Sequence, residues 1–458
     1  MLKIIVFVFV LLFAGAGISL VPGIGLFEED APNIEINATN GDTIYINPKN
    51  PFAIALSDKS GIGDVEISFV NNLSEQKILS SNFGGKKNLL IQVELPKTLK
   101  YKNGDIYGLK IKVNDTSYAK FFTGNTLTKE IKIQIDTRPP DVLVINQSYK
   151  IIQGGAAAAV FRVSDTSGMV KDLHVASSFG KEFKVVPFYK EGYYAVLLAW
   201  PTTQQNFSAQ VVATDLAGNV AKMPIRLYLQ SKKYKESHIT INNAFIDGKI
   251  SELANMYASN VNEMDAIAKF KFVNEELRNA NEKLIRNITS KIEEESLSEF
   301  FIKPFYPLRN GATVASFGDH RFFHFDGALL SESYHMGLDF ASTAMATIVA
   351  TNPGKVVFAE ENGIYGLNLI IYHGFGLYTL YGHCTSAMHQ EGEMLAAGVN
   401  LATTGTTGLA LGDHLHFGVI IQGIEVRPEE WMDKKWMKEN VFDILENSKK
   451  SIDGIKNS

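Results

Sequence analysis

Alternating apolar and polar residues dominate the chain between residues 31 and 232. Segments such as 105–113 and 130–135 alternate with a period of two, which is the spacing of a strand with one buried face. Turn-forming pairs such as Asn40-Gly41 separate these segments. The pattern predicts a β-rich structure throughout this part of the chain.

The same region contains an internal repeat. The run that begins at Pro32 matches the run that begins at Pro140, and an Asp-x-Ser-Gly turn at Asp58 recurs at Asp165. Units of about one hundred residues are typical of immunoglobulin-type β-sandwiches, so two are predicted, over 31–138 and 139–232. The run 213–219 (Ala-Thr-Asp-Leu-Ala-Gly-Asn) resembles bacterial immunoglobulin-like domains.

The Asp-rich turns of these units leave a calcium-binding role open as an alternative. Each turn offers only one or two carboxylates, whereas Ca²⁺ takes six to eight oxygen ligands, so a structural role is favoured.

A helical period replaces the alternation between residues 244 and 300. Apolar residues recur there at helical spacing, and Asp247 and Asn262 are suitable N-caps for two helices. The segment is predicted to be a packed helical linker, with a lid or a partner-binding arm as the alternative. From 302 to 430 the pattern returns to strands with glycine-rich turns, and a helical and polar tail is predicted over 431–458.

The N-terminal segment, residues 1–27, is uncharged and largely apolar after Lys3. About twenty helical residues span the hydrocarbon core of a bilayer, so the segment is predicted to be an uncleaved signal-anchor. A cleaved signal peptide with a site near Ala16 is the alternative. Both interpretations predict that the rest of the chain is exported.

Composition restricts the chemistry of any metal site. The chain has one cysteine, Cys384, which excludes an intrachain disulfide and a cysteine-rich zinc site. Metal ligands must therefore be histidines and carboxylates. The net charge of −5, without a long basic tract, does not favour nucleic-acid binding.

The histidines are clustered, since eight of the ten lie between His320 and His416. Residues i and i+2 of a strand face the same side, so His414 and His416 are predicted to project into one cavity. A catalytic zinc ion takes three protein ligands. His335, Asp339 and one histidine of the 414/416 pair would complete that set. Tyr381-Gly-His383 is a third signature in the same region.

Together these motifs resemble the lysostaphin- and LytM-type zinc endopeptidases. The resemblance covers residues 311–428. It rests on the signatures above and on further matching segments: Ser316-Phe-Gly, Gly354-Lys-Val-Val, 365–376, Gly405-Thr-Thr-Gly408 and Val426-Arg-Pro428.

The resemblance implies a small β-rich domain with an open groove, a zinc cofactor, and specific roles for five residues. The implied zinc ligands are His335, Asp339 and His416, and the implied catalytic residues are His383 and His414. The chain departs from the family pattern at Cys384, where an apolar leucine is usual and a small core residue is expected. It also carries His320 and His324 before His335, which are expected in a surface loop; the alternative is that they approach and block the metal.

The function expected from this resemblance is zinc-dependent hydrolysis of peptide cross-links in bacterial peptidoglycan, of the D,D type, for wall remodelling. A catalytically silent regulator of other cell-wall hydrolases is the alternative. The expected partners are peptidoglycan stem peptides, the inner membrane through the N-terminal anchor, and cell-wall enzymes. The expected location is the periplasm. The region 244–334 is a further candidate for a cover over the groove.

Overall fold

The computed structural model describes residues 29–36, 39–71 and 74–454. The predicted N-terminal anchor, 1–27, lies outside these residues. Within the described part of the chain, no helix combines the length and apolarity needed to span a membrane. The structure is mainly β, as predicted, and forms two compact units. One contains the residues up to Asp141 with Ser164–Asp172 and Ala213–Ala221, and the other contains the remainder.

The first unit is built on one hydrogen-bonded sheet of seven strands. They are β1 (Asn33–Ile36), β2 (Thr39–Asn40), β3 (Thr43–Ile46), β4 (Phe52–Val70), β5 (Glu75–Val93), β6 (Ile106–Asp115) and β7 (Thr126–Ile135). Their order is β1-β4-β6-β7-β3-β2, and β5 pairs with β4. In β6, alternate residues Leu109, Ile111 and Val113 are buried in a single core, as the period of two predicts. A short helix, Ala119–Phe122, lies between β6 and β7.

The repeated Asp-x-Ser-Gly turns have the same local geometry. Oδ1 of Asp58 accepts hydrogen bonds from the backbone N and Oγ of Ser60 at 2.9 and 2.6 Å. Oδ1 of Asp165 accepts from N of Ser167 at 2.8 Å and also from its Oγ. The sequence repeat therefore corresponds to a repeated side-chain-to-backbone turn.

Residues 141–225 form two four-stranded sheets, which is consistent with the predicted second sandwich. The strands of this region and the two that follow are β8 (Asp141–Gln147), β9 (Lys150–Ile152), β10 (Ala156–Ser164), β11 (Val170–Ser177), β12 (Glu182–Lys184), β13 (Val186–Pro187), β14 (Tyr193–Ala199), β15 (Ala209–Asp215), β16 (Val220–Ile225), β17 (Tyr228–Gln230) and β18 (Glu236–Thr240). The sheet orders are β13-β14-β10-β8 and β12-β11-β15-β16.

Helices occupy most of the segment predicted to be helical. They are Asn243–Phe245, Ile246–Ile250, Ser251–Tyr257, Val261–Glu263, Ala266–Lys271, Phe272–Leu277 and Arg278–Thr289. The predicted N-caps were wrong. The side chains that cap are Asn242 and Asp265, which accept hydrogen bonds from the backbone N of Phe245 and Ala268. Asp247 cannot cap because it lies inside a helix, whereas a cap residue must precede the first helical turn.

The C-terminal part contains thirteen further strands. They are β19 (Ala312–Ala315), β20 (Asp319–Phe325), β21 (Ala328–His335), β22 (Leu338–Ala341), β23 (Thr347–Val349), β24 (Gly354–Glu361), β25 (Leu367–Tyr372), β26 (Leu377–Cys384), β27 (Ser386–Ala387), β28 (Met394–Leu395), β29 (Asn400–Thr403), β30 (Leu415–Ile421) and β31 (Ile424–Val426). The main sheet runs β19-β22-β30-β26-β25-β24-β28, with β31 on β30. The tail is helical over Pro428–Met432, Lys434–Met437, Lys438–Phe442 and Asp443–Gly454.

The surface loop expected before His335 is instead a β-hairpin. Strands β20 and β21 pair antiparallel, and β20 also pairs with β18. Asp326 and Gly327 form the two-residue connection with positive φ angles of 47° and 80°. An Asp-Gly pair between two strands is a strong hairpin signal.

The helical segment shares a core with the main sheet. Phe270, Val273 and Ile285 belong to the same buried cluster as Ile370 of β25 and Leu380 of β26. This packing makes the helices part of the C-terminal domain's hydrophobic core. The role of this segment as a linker stays a prediction.

The shared core predicts an asymmetry between two neighbouring residues of the helix Arg278–Thr289. Ile285 is 1% exposed, whereas Leu284 is 39% exposed. Ile285→Ala should lower the free energy of unfolding by about 2–5 kcal/mol, since it leaves a cavity in the core. Leu284→Ala is the matched control and should have a much smaller effect. Chemical denaturation of both variants is the measurement, and equal destabilisation would contradict the shared core.

Candidate active site

Five predicted site residues line one cavity of about 230 Å³. They are His335, Asp339, His383, His414 and His416. The sheet register explains how residues from distant parts of the chain meet there. Strand β30 lies between β22 and β26, so that His416 is opposite Asp339 on one side and opposite Gly382 on the other.

The three predicted metal ligands lie in direct contact. Oδ1 of Asp339 is 2.9 Å from Nε2 of His335 and 2.9 Å from Nδ1 of His416. The two histidine nitrogens are 3.1 Å apart. Ligand atoms bound at ~2.0–2.2 Å to one tetrahedral zinc ion lie about 3.3 Å from each other, so these side chains fit such an ion with little movement. The donor set of two imidazoles and one carboxylate is also one that zinc prefers.

Backbone carbonyls orient three of the imidazole rings. Nδ1 of His335 lies 2.9 Å from the carbonyl oxygen of Ser316, and Nδ1 of His383 lies 2.9 Å from that of Thr407. Nδ1 of His414 lies 2.7 Å from the carbonyl oxygen of Gly412. A carbonyl can only accept, so each Nδ1 carries a proton and each Nε2 is left with a lone pair.

The electrostatics of the site favour an ionised carboxylate beside neutral imidazoles. Burial alone would raise the pKa of Asp339, but the close contacts with His335 and His416 lower it far below its usual value. Burial lowers the pKa of His383 to about 3 and that of His416 to about 4. Metal ligation requires these protonation states, since a protonated imidazole has no lone pair to donate.

Two backbone features shape this site. A Cβ at Gly337 would lie 2.5 Å from Cε1 of His416, so only glycine allows that ring to take its position. His383 has a φ of 62°, which is a left-handed conformation rare for residues other than glycine. Strained residues of this kind concentrate at functional sites, where the surrounding structure holds them.

The remaining histidines and Cys384 lie outside the metal-ligand group. His320 pairs with Glu332 at 3.1 Å, and Nε2 of His324 lies 3.0 Å from Nδ1 of His238. Among the described residues, neither belongs to the cluster of His335, Asp339 and His416, so the blocking alternative gains no support.

His373, His389 and Cys384 have structural surroundings. His373 contacts the carbonyl oxygen of Pro353 and Oγ1 of Thr379, both at 2.8 Å. His389 contacts Glu393 at 2.8 Å. Cys384 is fully buried, and burial raises the pKa of its thiol to about 12, as expected for a core residue.

Sequence reasoning missed two cationic residues of the cavity. Arg278, at the start of the helix Arg278–Thr289, and Arg321, in β20, both line it. No motif marks either residue, because their position depends on how the helix and hairpin pack. Tyr365 also lines the cavity; its matching segment was noted, but no role was assigned to it.

A second carboxylate cluster lies in the first unit. Ligand atoms of Asp136, Asp165 and Asp215 lie within 4.8 Å of one another. Hydrogen bonds already engage all three groups: Oγ1 of Thr166 donates to Asp136 at 3.1 Å, Nδ2 of Asn219 donates to Asp215 at 2.7 Å, and N of Ser167 donates to Asp165 at 2.8 Å. Three carboxylates carry six oxygens, the lower limit for calcium, and these hydrogen bonds occupy several of them, so a structural role remains favoured.

Comparison with known proteins agrees with the geometry of the C-terminal site. Residues 333–428 match the model of Peptidase family M23. The peptidoglycan DD-endopeptidase ShyB of Vibrio cholerae is 33% identical over 88 residues, which is 19% of this chain and 21% of the relative. The DD-carboxypeptidase/endopeptidase Mpg of Neisseria meningitidis is 33% identical over 94 residues, 20% of this chain and 22% of the relative. The murein hydrolase activator EnvC of Escherichia coli is 28% identical over 130 residues, 28% of this chain and 29% of the relative.

The matches to the first two relatives span about a fifth of the length of those proteins. The relatives include both named hydrolases and a named activator. The C-terminal part of this chain contains a domain of peptidase family M23.

Proposed function

We propose that the C-terminal domain is a zinc endopeptidase that hydrolyses D,D-type peptide cross-links of peptidoglycan. The observation that carries the proposal is the contact of His335, Asp339 and His416 at 2.9–3.1 Å in the same cavity as His383 and His414. The names of the relatives ShyB and Mpg support peptidoglycan as the substrate class.

In this proposal His335, Asp339 and His416 hold the zinc ion. A bound zinc ion supplies a Lewis acid that lowers the pKa of water from ~15.7 toward ~7 and polarises a carbonyl. The protein's own contribution is orientation, because the carbonyl of Ser316 fixes the ring of His335 and leaves its Nε2 directed at the ligand group.

The catalytic work falls to His383 and His414. Their Nδ1 protons are held by backbone carbonyls, so Nε2 of each ring is a proton acceptor. We assign His414, whose Nε2 lies 3.7 Å from Oδ2 of Asp339, as the base that takes the proton of the attacking water. His383 is assigned to stabilise the oxyanion that develops on the scissile carbonyl. Its Nε2 has no proton in this tautomer, so this role requires that Nε2 take up a proton as the negative charge develops beside it. The two rings have the same tautomer, so exchanged roles fit the same geometry.

The principal alternative is a catalytically silent regulator, since EnvC is named as a murein hydrolase activator. All five residues line the cavity here, which favours hydrolysis. We further propose that the chain is exported and works in the periplasm, anchored in the inner membrane by residues 1–27. Peptidoglycan stem peptides are the proposed substrate, and cell-wall enzymes are the proposed protein partners.

Replacing a proposed ligand should remove the metal. His335→Ala, Asp339→Ala and His416→Ala each leave two of the three ligands, so zinc binding should be lost or strongly weakened. Metal analysis of the purified variants is the measurement. His320→Ala is the matched control, because that residue pairs with Glu332 and should leave zinc content unchanged. Full zinc occupancy in all three ligand variants would refute the ligand set.

Replacing a proposed catalytic histidine should separate turnover from metal binding. His383→Ala and His414→Ala should retain zinc but lose about 10²–10⁴-fold in kcat on purified cross-linked muropeptides. His389→Ala, a histidine outside the cavity, should retain full activity. If the wild-type protein binds zinc but cleaves no muropeptide, the endopeptidase proposal is wrong and the regulator alternative is favoured.

A further inference from the structure

Two guanidinium groups lie in the metal cavity, and their acidic neighbours, Asp319 for Arg321 and Glu282 for Arg278, do not belong to the cavity lining. Arg278 and Arg321 both line it, and their side chains are only 17% and 26% exposed. Asp339 is the only carboxylate among the described residues of the lining, and it belongs to the ligand group. Once a divalent ion is bound, the cavity carries a clear excess of positive charge.

Arg278 is hydrogen-bonded by a neutral side chain, and its acidic neighbour, Glu282, lies only at the outer limit of an ion pair. Its Nε and Nη2 donate to Oδ1 of Asn274 at 3.3 and 3.1 Å. Nδ2 of Asn274 in turn donates to Oγ of Ser331 at 2.8 Å, which ties the helix to the hairpin. In the described part of the chain, Nη1 of Arg278 has no hydrogen-bond acceptor, and the nearest carboxylate oxygen, from Glu282, is 4.0 Å away.

The guanidinium group of Arg321 is held through its Nε nitrogen, and its partner is a carboxylate. Its Nε donates to Oδ2 of Asp319 at 3.3 Å, while Oδ1 of Asp319 accepts from Ser237 at 2.7 Å. Its two terminal nitrogens have no hydrogen-bond partner among the described residues. Burial is the largest cause lowering the pKa of Arg278, and the positive charge of Arg321 adds to it. Two partly buried positive charges repel each other and destabilise the folded protein unless an anion binds between them.

We infer that Arg278 and Arg321 form a subsite for a free carboxylate on the leaving residue of the substrate. Guanidinium groups bind carboxylates with two parallel hydrogen bonds. Nη1 of Arg278 and both terminal nitrogens of Arg321 have no hydrogen-bond partner among the described residues, and Nη2 of Arg278 uses only one of its two protons on Asn274. The subsite shares its cavity with the catalytic residues, so the carboxylate belongs to a residue directly beside the scissile bond.

This carboxylate distinguishes the two classes of cross-link. In a D,D-type link, the scissile nitrogen is attached to a carbon that carries a free carboxylate. In a glycine bridge, the corresponding carbonyl continues into the next amide and carries no charge. The inference rests on the proposed function and deepens it, because it names the group that selects D,D-type peptides over glycine bridges.

The space beyond Arg278 allows the leaving residue to be part of a larger peptide. A second cavity of about 580 Å³ shares Arg278, Tyr334 and Met336 with the metal cavity. A single terminal residue would not need this volume. The geometry therefore accommodates an internal cross-link, in which the leaving residue is attached to a further peptide chain.

The test compares two synthetic peptides that differ in one group. In both, D-alanine is linked to the amino group of a D-amino acid whose carboxyl is either free or converted to an amide. The zinc-loaded full-length protein should cleave the acid with a kcat/KM about 10–100-fold higher than the amide. Arg278→Gln and Arg321→Gln should lower cleavage of the acid by a similar factor and leave the amide unchanged. Arg278→Lys should retain only part of the preference for the acid, since lysine keeps the positive charge but cannot form two parallel hydrogen bonds to a carboxylate.

Arg309→Gln is the control for loss of one positive charge, because Arg309 is exposed and does not line the cavity. A second readout is equilibrium binding of non-hydrolysable ketomethylene analogues of the same acid and amide. Tighter binding of the acid analogue should depend on Arg278 and Arg321, even if no peptide is cleaved. That result would support the subsite while refuting hydrolysis.

Equal cleavage and equal binding of acid and amide by wild type would overturn the subsite and leave the proposed peptidase intact. If Arg278→Gln loses cleavage of both the acid and the amide peptide but still prefers the acid, the subsite would also be overturned. That result would indicate a structural role for the arginine. Arg321→Gln lies on a different element, so misfolding of the helix variant cannot account for a result seen in both.

Discussion

The position of strand β30 between β22 and β26 is the constraint on which the site depends. It places His416 opposite Asp339 on one neighbour and opposite Gly382 on the other. A slip of one residue in this register would turn His416 to the opposite face of the sheet, because the side-chain period of a strand is two. Leu415 and Phe417 are both fully buried, so the same slip would also turn two core side chains toward the polar cavity. Apolar burial therefore fixes the register that the chemistry needs.

Local features then adapt the backbone to that register. Glycine at 337 leaves room for the ring of His416, and the left-handed conformation of His383 directs its side chain into the cavity. Neither feature stabilises the sheet, and the φ of His383 has an energetic cost. The two partly buried guanidinium groups of Arg278 and Arg321 add a further cost in the same cavity. Departures from ordinary packing rules are expected where binding occurs.

The sequence predicted most of what depends on local patterns and little of what depends on packing between distant segments. Alternation revealed the strands, and the spacing of His335, Asp339 and His416 revealed residues that the structure brings into contact. The hairpin of residues 319–335 was missed because its histidines were interpreted as loop residues. Arg278 could not be found, since it precedes His335 by fifty-seven positions in the chain and reaches the cavity only through the packing of a helix.

The helical segment contributes both to the hydrophobic core of the C-terminal domain and to the metal cavity. Its inner face supplies Phe270, Val273 and Ile285 to the core beneath β25 and β26. The same stretch of chain carries Arg278 into the metal cavity. A lid would have to leave the sheet in order to open, and that movement would expose this shared core to water at a cost of about 25 cal/mol per Å² of apolar surface. Removing the segment to test whether it covers the groove would damage the fold and the cavity at once. Loss of activity in a chain that begins near Ile302 would therefore reflect both a less stable fold and the absence of Arg278. Only single substitutions in the helical segment can distinguish covering of the groove from stabilisation of the fold.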